Sequence, residues 1–219
     1  MNDNLYPPEG SGRLRQPRDL STPERIERAI VSGEIFESRC ILCDGEHNLH
    51  IDLGKYTGVI PREECVYSLR NAPVKDIAVI SRVGKSVCFK LKDLRTDEYG
   101  RSRIILSRRD AQRECMENYI RTLESGDIID ARVTHLEPFG AFVEIMPGKD
   151  ALLHISEIDY KRFETMEETG LKEGDEIDVK LIGIDPKTNK LKLSRKVLLP
   201  KQTVSSALKK MEEGGLIVR

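Results

Sequence analysis

Tryptophan is absent, and the 219 residues hold only five Phe and six Tyr, so ring-bearing side chains are scarce and each needs a physical reason for its place. No run of eighteen apolar residues occurs, which excludes a membrane-spanning helix on length alone. The opening Met1-Asn2-Asp3-Asn4-Leu5 lacks the basic patch and apolar stretch of an export signal, so a cytoplasmic setting is expected, with no membrane partner. Five cysteines, an odd number, then fit free thiols in a reducing compartment and not a disulfide framework. An excess of one charge sign is also missing. With a formal net charge of −1, nucleic-acid affinity resting on bulk charge is excluded, which leaves local basic faces and ring stacking. A glycine-rich phosphate loop, a nucleophile elbow and a metalloprotease helix are not found, and adjacent carboxylates such as Glu63-Glu64 have no pattern around them. The expectation is a non-catalytic chain with no cofactor and no small-molecule substrate.

What is there centres on residues 139–156. Ala141, Val143 and Ile145 alternate with Phe142 and Glu144, and Ala151, Leu153 and Ile155 alternate with Leu152 and His154, around the turn Pro147-Gly148-Lys149-Asp150. That period of two marks paired half-buried strands. With the aliphatic set inward, Phe142, Glu144 and His154 fall outside. Phe139 stands three residues before Phe142, on the opposite face under strict alternation, and Gly140 between them permits a bulge or twist that brings both rings to one side. Outward rings suit a stacking platform for single-stranded nucleic acid, since every base has a π-face. Burial of the same rings in a core is the competing reading.

Five segments carry a family resemblance: Gly126-Asp127-Ile128-Ile129, Phe139-Gly140-Ala141-Phe142-Val143, Leu152-Leu153-His154-Ile155-Ser156, Glu173-Gly174-Asp175-Glu176-Ile177 and Lys192-Leu193-Ser194-Arg195. In order and spacing they resemble the S1 RNA-binding domain, as found in the ribosomal protein repeats and in the domain appended to polynucleotide phosphorylase and related ribonucleases. The resemblance implies a five-stranded barrel of the oligonucleotide-binding fold over residues 126–197. It also implies an RNA face of Phe139, Phe142, His154, Asp185 and Lys190; strand parity sets Lys192 outside with Lys190, and Lys192 or Arg195 is a further candidate for phosphate. Messenger RNA and the small ribosomal subunit are the settings it implies.

The chain repeats itself. Gly33-Glu34-Ile35-Phe36 matches Gly126-Asp127-Ile128-Ile129 at an offset of 93, and Ile104-Ile105-Leu106-Ser107-Arg108 matches Leu191-Lys192-Leu193-Ser194-Arg195, so two copies of one unit are expected. Aligned without gaps, the first copy has Glu46 for Phe139, Leu49 for Phe142 and Pro61 for His154, so its platform is missing. Lys90, Lys92, Arg101 and Arg103 are left to touch backbone, or the copy docks a protein, or it is only a rigid spacer. Residues 33–125 carry sixteen Lys and Arg against fifteen Asp and Glu, and residues 126–197 eleven against fifteen, so binding depends on where the charges sit. Cys40, Cys43, His47 and His50 have zinc-ligand chemistry, but their spacing is much shorter than in common structural zinc sites.

The organisation expected is a disordered tail over 1–20, rich in Pro, Gly and Arg, then a short helix within 21–32 capped by Thr22-Pro23 and stopped by Gly33. A divergent S1-like barrel over 33–109, a linker helix over 110–125, an S1 barrel over 126–197 and a C-terminal helix and tail over 198–219 follow. The fold class is all-β with connecting helices, two tandem five-stranded barrels joined by an α-helix. Single-stranded RNA binding in translation or RNA metabolism is the expected function. The rival is an adaptor docking a ribosome or ribonuclease complex, with vestigial RNA binding.

Overall fold

The computed structural model describes residues 6–68, 73–96, 102–185 and 190–200; the expected C-terminal helix beyond residue 200 lies outside them. Thr22 caps α1 (Pro23–Ser32) by accepting from the Arg25 amide, and Gly33 ends it at a left-handed φ of 63°, the two devices that stop a helix cheaply. Next come β1 (Ile35–Cys43), β2 (Leu49–Asp52), β3 (Thr57–Ile60), α2 (Asp76–Ile80), β4 (Ser86–Thr96), β5 (Ser102–Ser107) and α3 (Arg108–Asn118). The second half contains β6 (Ile128–Glu137), β7 (Gly140–Met146), β8 (Lys149–His154), β9 (Glu176–Ile184) and β10 (Leu191–Ser194).

The first sheet closes in the order β1-β2-β3-β5-β4, with β3 and β5 parallel and the other pairs antiparallel. The second runs β10-β9-β6-β7-β8, the same order, with β8 and β10 side by side. The first is a closed barrel and the second a five-stranded, barrel-like sheet of the same oligonucleotide-binding strand order. Alternation fills the second core: Ile129, Ala131, Val133, Ala141, Val143, Ile145, Leu153, Val179, Leu181, Leu191 and Leu193 are buried together. Each larger side chain contributes roughly 1.5–3 kcal/mol of transfer free energy.

Register corrects the ungapped repeat. Leu49 pairs with Ile60 and Ile51 with Gly58, as Ala141 pairs with Leu153 and Val143 with Ala151. The β1–β2 turn is therefore one residue longer than the β6–β7 turn, and Leu49 occupies the core position of Ala141. His50, not Leu49, stands in the place of Phe142, and a one-residue slip swaps the two faces.

Three further expectations change. The linker helix starts at Arg108, because Ser107 at the end of β5 accepts from the Asp110 amide as its cap. It stops at Asn118, where Tyr119 leaves helical geometry, and continues only as a 3₁₀ turn over Ile120–Thr122. Glu144, expected outside beside Phe142, is 4% exposed. What covers it is the stretch read as a disordered tail.

Residues 6–20 pack between the barrels, with Leu14 and Leu20 buried and Glu9 sealed. The Glu9 carboxylate receives Arg108 Nε at 2.8 Å and Nη2 at 2.7 Å, and the Cys88 amide at 2.9 Å. The Glu9 amide donates to Glu144 Oε2 at 3.0 Å, and Arg132 donates to the Glu9 carbonyl at 2.9 Å. Arg13 reaches Asp130 on β6, Arg15 reaches Glu34, and the Glu37 amide donates to the Arg15 carbonyl. Low apolar content implied disorder, but here buried ion pairing and backbone bonding replace apolar contact.

Candidate nucleic-acid interface

Glu137 pairs with Gly140 across the β6–β7 turn, which puts Phe139 at its tip. The ring is 47% exposed, and its centroid lies 6.3 Å from that of half-buried Phe142, edge to face at 83°. Gly140 makes this possible. A Cβ there would stand 2.4 Å from the Leu153 carbonyl oxygen, so only glycine lets β7 come this close to β8, where the Ile155 amide donates to the Phe139 carbonyl at 2.9 Å. Phe142 pairs with Leu152 and Gly140 with His154. The outward side chains of Phe142, Leu152 and His154 therefore share one face, with Leu153 inward between them.

His154 is exposed, and its Nδ1 accepts from the Ser156 amide at 3.3 Å beside the Ser156 hydroxyl at 2.9 Å. In the neutral ring this leaves the proton on Nε2, a donor facing solvent. The wall thus offers two rings and one directed N–H.

The basic candidates spread along β10. In the first barrel Val59 stands beside Ile105, and the corresponding pair in the second is Leu152 and Lys192, so exposed Lys192 falls next to the ring-bearing face. Lys190 is exposed farther along, where the Asp185 amide donates to its carbonyl at 2.9 Å; both lie at the β9–β10 turn, away from Phe139. Arg195 is half-buried, with its amide donating to the Glu157 carbonyl. Sequence reasoning missed His135, which pairs with Phe142 and meets Glu173 at 3.0 Å and Glu137 at 3.1 Å. Hydrogen bonds to Glu173 and then Glu137 raise its pKa.

A second omission lies beyond His154. Ser156, Tyr160, Lys161, Arg162, Phe163 and Lys196 line an open cleft of about 420 Å³. The signal was a basic pair flanked by two rings in an otherwise acidic loop.

The first barrel presents a different surface. His50, in the Phe142 position, is bound to Asp44 at 3.0 Å, and His47 lies 3.3 Å from Arg62. The His50 hydrogen bond holds the Asp44 carboxyl down at about 2. Lys90 pairs with Glu114, and Lys92 with Glu64 at 2.6 Å, so two of the cations proposed for backbone contact are already neutralised. Arg103 is exposed, while Arg101 lies outside the described residues. Cys40 is sealed in the barrel core, and burial pushes its thiol up to about 11. Among the described residues no group of three or more His, Cys, Asp or Glu is placed to hold a metal, so Cys40, Cys43, His47 and His50 are not gathered into a zinc site.

Compared with known families, residues 122–196 match the S1 RNA binding domain. The polyribonucleotide nucleotidyltransferase of Parabacteroides distasonis is 58% identical over 92 residues, which are 42% of this chain and 12% of that protein. The Bacteroides fragilis enzyme of the same name is 68% identical over 78 residues, 36% of this chain and 11% of that protein. The chain thus spans only about a tenth of the length of these curated relatives. Among solved structures, an a/eIF2alpha–aDim2p–rRNA complex from Pyrococcus horikoshii is 30% identical, covering 42% of this chain and 54% of that one with a TM-score of 0.32.

Proposed function

We propose, from the match of residues 122–196 to the S1 RNA binding domain, that this chain holds single-stranded RNA on the outer wall of its second barrel and does not cleave it. The observation that carries the reading is one wall holding exposed Phe139 and His154 with half-buried Phe142, in a domain with more carboxylates than cations. Where bulk charge works against phosphate, stacking must supply affinity, at roughly 1–3 kcal/mol per base on an aromatic side chain. His154 adds a donor from Nε2, and Lys192 meets phosphate. Base identity matters little to such a platform.

RNA turnover is the setting this reading favours, since the polyribonucleotide nucleotidyltransferases that the chain resembles reach 58% and 68% identity over the matched residues; messenger RNA on the small ribosomal subunit is the alternative setting. Neutralised lysines and an imidazole tied to a carboxylate favour protein docking by the first barrel over RNA contact.

Replacing Phe139 and Phe142 together by alanine is expected to weaken binding to an unstructured oligonucleotide by at least about 30-fold, with circular dichroism unchanged. Undiminished affinity in that folded variant would overturn the platform. Labelled RNA incubated with the protein and magnesium is expected to stay intact, and co-sedimentation with ribosomal subunits would move the setting to translation.

A further inference from the structure

We propose that the cleft beside His154 is a second nucleotide seat, taking the phosphate and base that come next along the strand from those on Phe139 and Phe142. The inference rests on the RNA reading of that wall and extends its footprint onto the loop between β8 and β9.

Continuity is the first argument. Ser156, whose hydroxyl and amide bind His154 Nδ1, also lines the cleft, so a strand passing the imidazole enters the cleft next. Its volume of about 420 Å³ falls within the range of small-ligand sites, roughly 300–1,000 Å³.

Charge is the second. Lys196 is bound to Glu157 at 2.7 Å and to the Ser156 carbonyl at 3.0 Å, while Asp159 accepts the Lys161 amide at 3.0 Å. Among the described residues, Lys161 and Arg162 are in no ion pair, and the carboxylate facing them across the cleft is that of Asp159. With Lys196 matched by Glu157, Lys161 and Arg162 exceed Asp159 by one positive charge in this concave site, a local excess that the domain as a whole does not have.

Rigidity and ring supply are the third. Ile158, Met166 and Leu171 bury the loop against the barrel core, and Phe163 packs on the same cluster with Lys161 Nζ 5.3 Å from its ring centroid. Phe163 is therefore the floor. Tyr160, 43% exposed, is the ring assigned to the base, with phosphate on Lys161 and Arg162.

Affinity of the full chain for oligouridylates of about 3 to 12 nucleotides, read by fluorescence anisotropy at several salt concentrations, tests this. The parent protein is expected to gain affinity as the oligonucleotide grows past the length that fills the platform. Lys161→Ala/Arg162→Ala should lose that gain and lower the salt slope by about 1. Tyr160→Ala should bind long oligonucleotides about 5- to 100-fold more weakly and short ones normally, with Tyr160→Phe restoring the loss. Parent-like length and salt dependence in the exposed Lys161/Arg162 variant, with Phe139→Ala/Phe142→Ala still impaired, would overturn the cleft alone. Parent-like binding by the phenylalanine variant would instead overturn the wall reading.

Discussion

Glu9 and Arg108 form an ion pair that water scarcely reaches, with side-chain exposures of 3% and 4%. Burial alone would raise the Glu9 carboxyl, but Arg108 outweighs it and holds the pKa below the ordinary range. Glu144 differs. Burial first, and the Glu9 carboxylate second, push its carboxyl up to about 8. Removing one partner of a buried pair leaves the other charge uncompensated, so Glu9→Ala is expected to cost about 3–5 kcal/mol in a urea unfolding curve. The pH dependence has two arms. Glu9 contributes stability that is complete above its unfolded pKa, near 4.3, and is lost as the pH falls through its lower folded value. Glu144 contributes stability that is complete below that unfolded value and is lost as the pH rises to about 8. The urea midpoint should peak near pH ~5 and decline toward pH ~8. In Glu144→Gln the upper decline should disappear; an unchanged decline would mean that another group titrates there.

Among the elements, the β7–β8 hairpin depends on Gly140. Its missing Cβ faces backbone, 2.4 Å from the Leu153 oxygen, and backbone cannot rotate aside. Gly140→Ala should therefore cost about 1–3 kcal/mol and weaken RNA binding as well, because the same approach lets the Phe139 carbonyl bond the Ile155 amide and so holds Phe139 beside β8. Loss of stability with normal affinity would separate hairpin from platform. The second barrel was readable because its strands alternate cleanly: Val143, Leu153 and Leu193 fell inward, and the ring-bearing face followed by parity. Gly140 announced the break in alternation that sets Phe139 beside Phe142. In the first barrel one extra turn residue between Cys43 and Leu49 defeated residue-by-residue matching, since no apolar pattern marks an insertion. Ser107 was hidden because it ends β5 and caps α3 at once. The cleft of Tyr160 and Arg162 escaped because its loop has no period.

At the scale of the whole molecule, the amino-terminal stretch acts as a wedge between two barrels. Its contacts reach β4 through the Cys88 amide, α3 through Arg108, β6 through Arg132 and Asp130, and β7 through Glu144. Without residues 6–16 the barrels are expected to tumble separately in NMR relaxation, whereas a single correlation time would show that α3 alone joins them. RNA binding should depend only mildly on salt. Two or three neutralised phosphates give a slope of about −2 in log K against log salt, and a slope several times steeper would mean that charge, not stacking, dominates. The wedge also constrains the order of synthesis. Glu9 is made before its partners Arg108, Arg132 and Glu144, which lie 99 to 135 residues farther along. A nascent chain therefore completes the strands of its first barrel before the Arg108 guanidinium reaches this carboxylate, and the backbone bonds of Glu9 that orient the second barrel wait for Arg132 and Glu144.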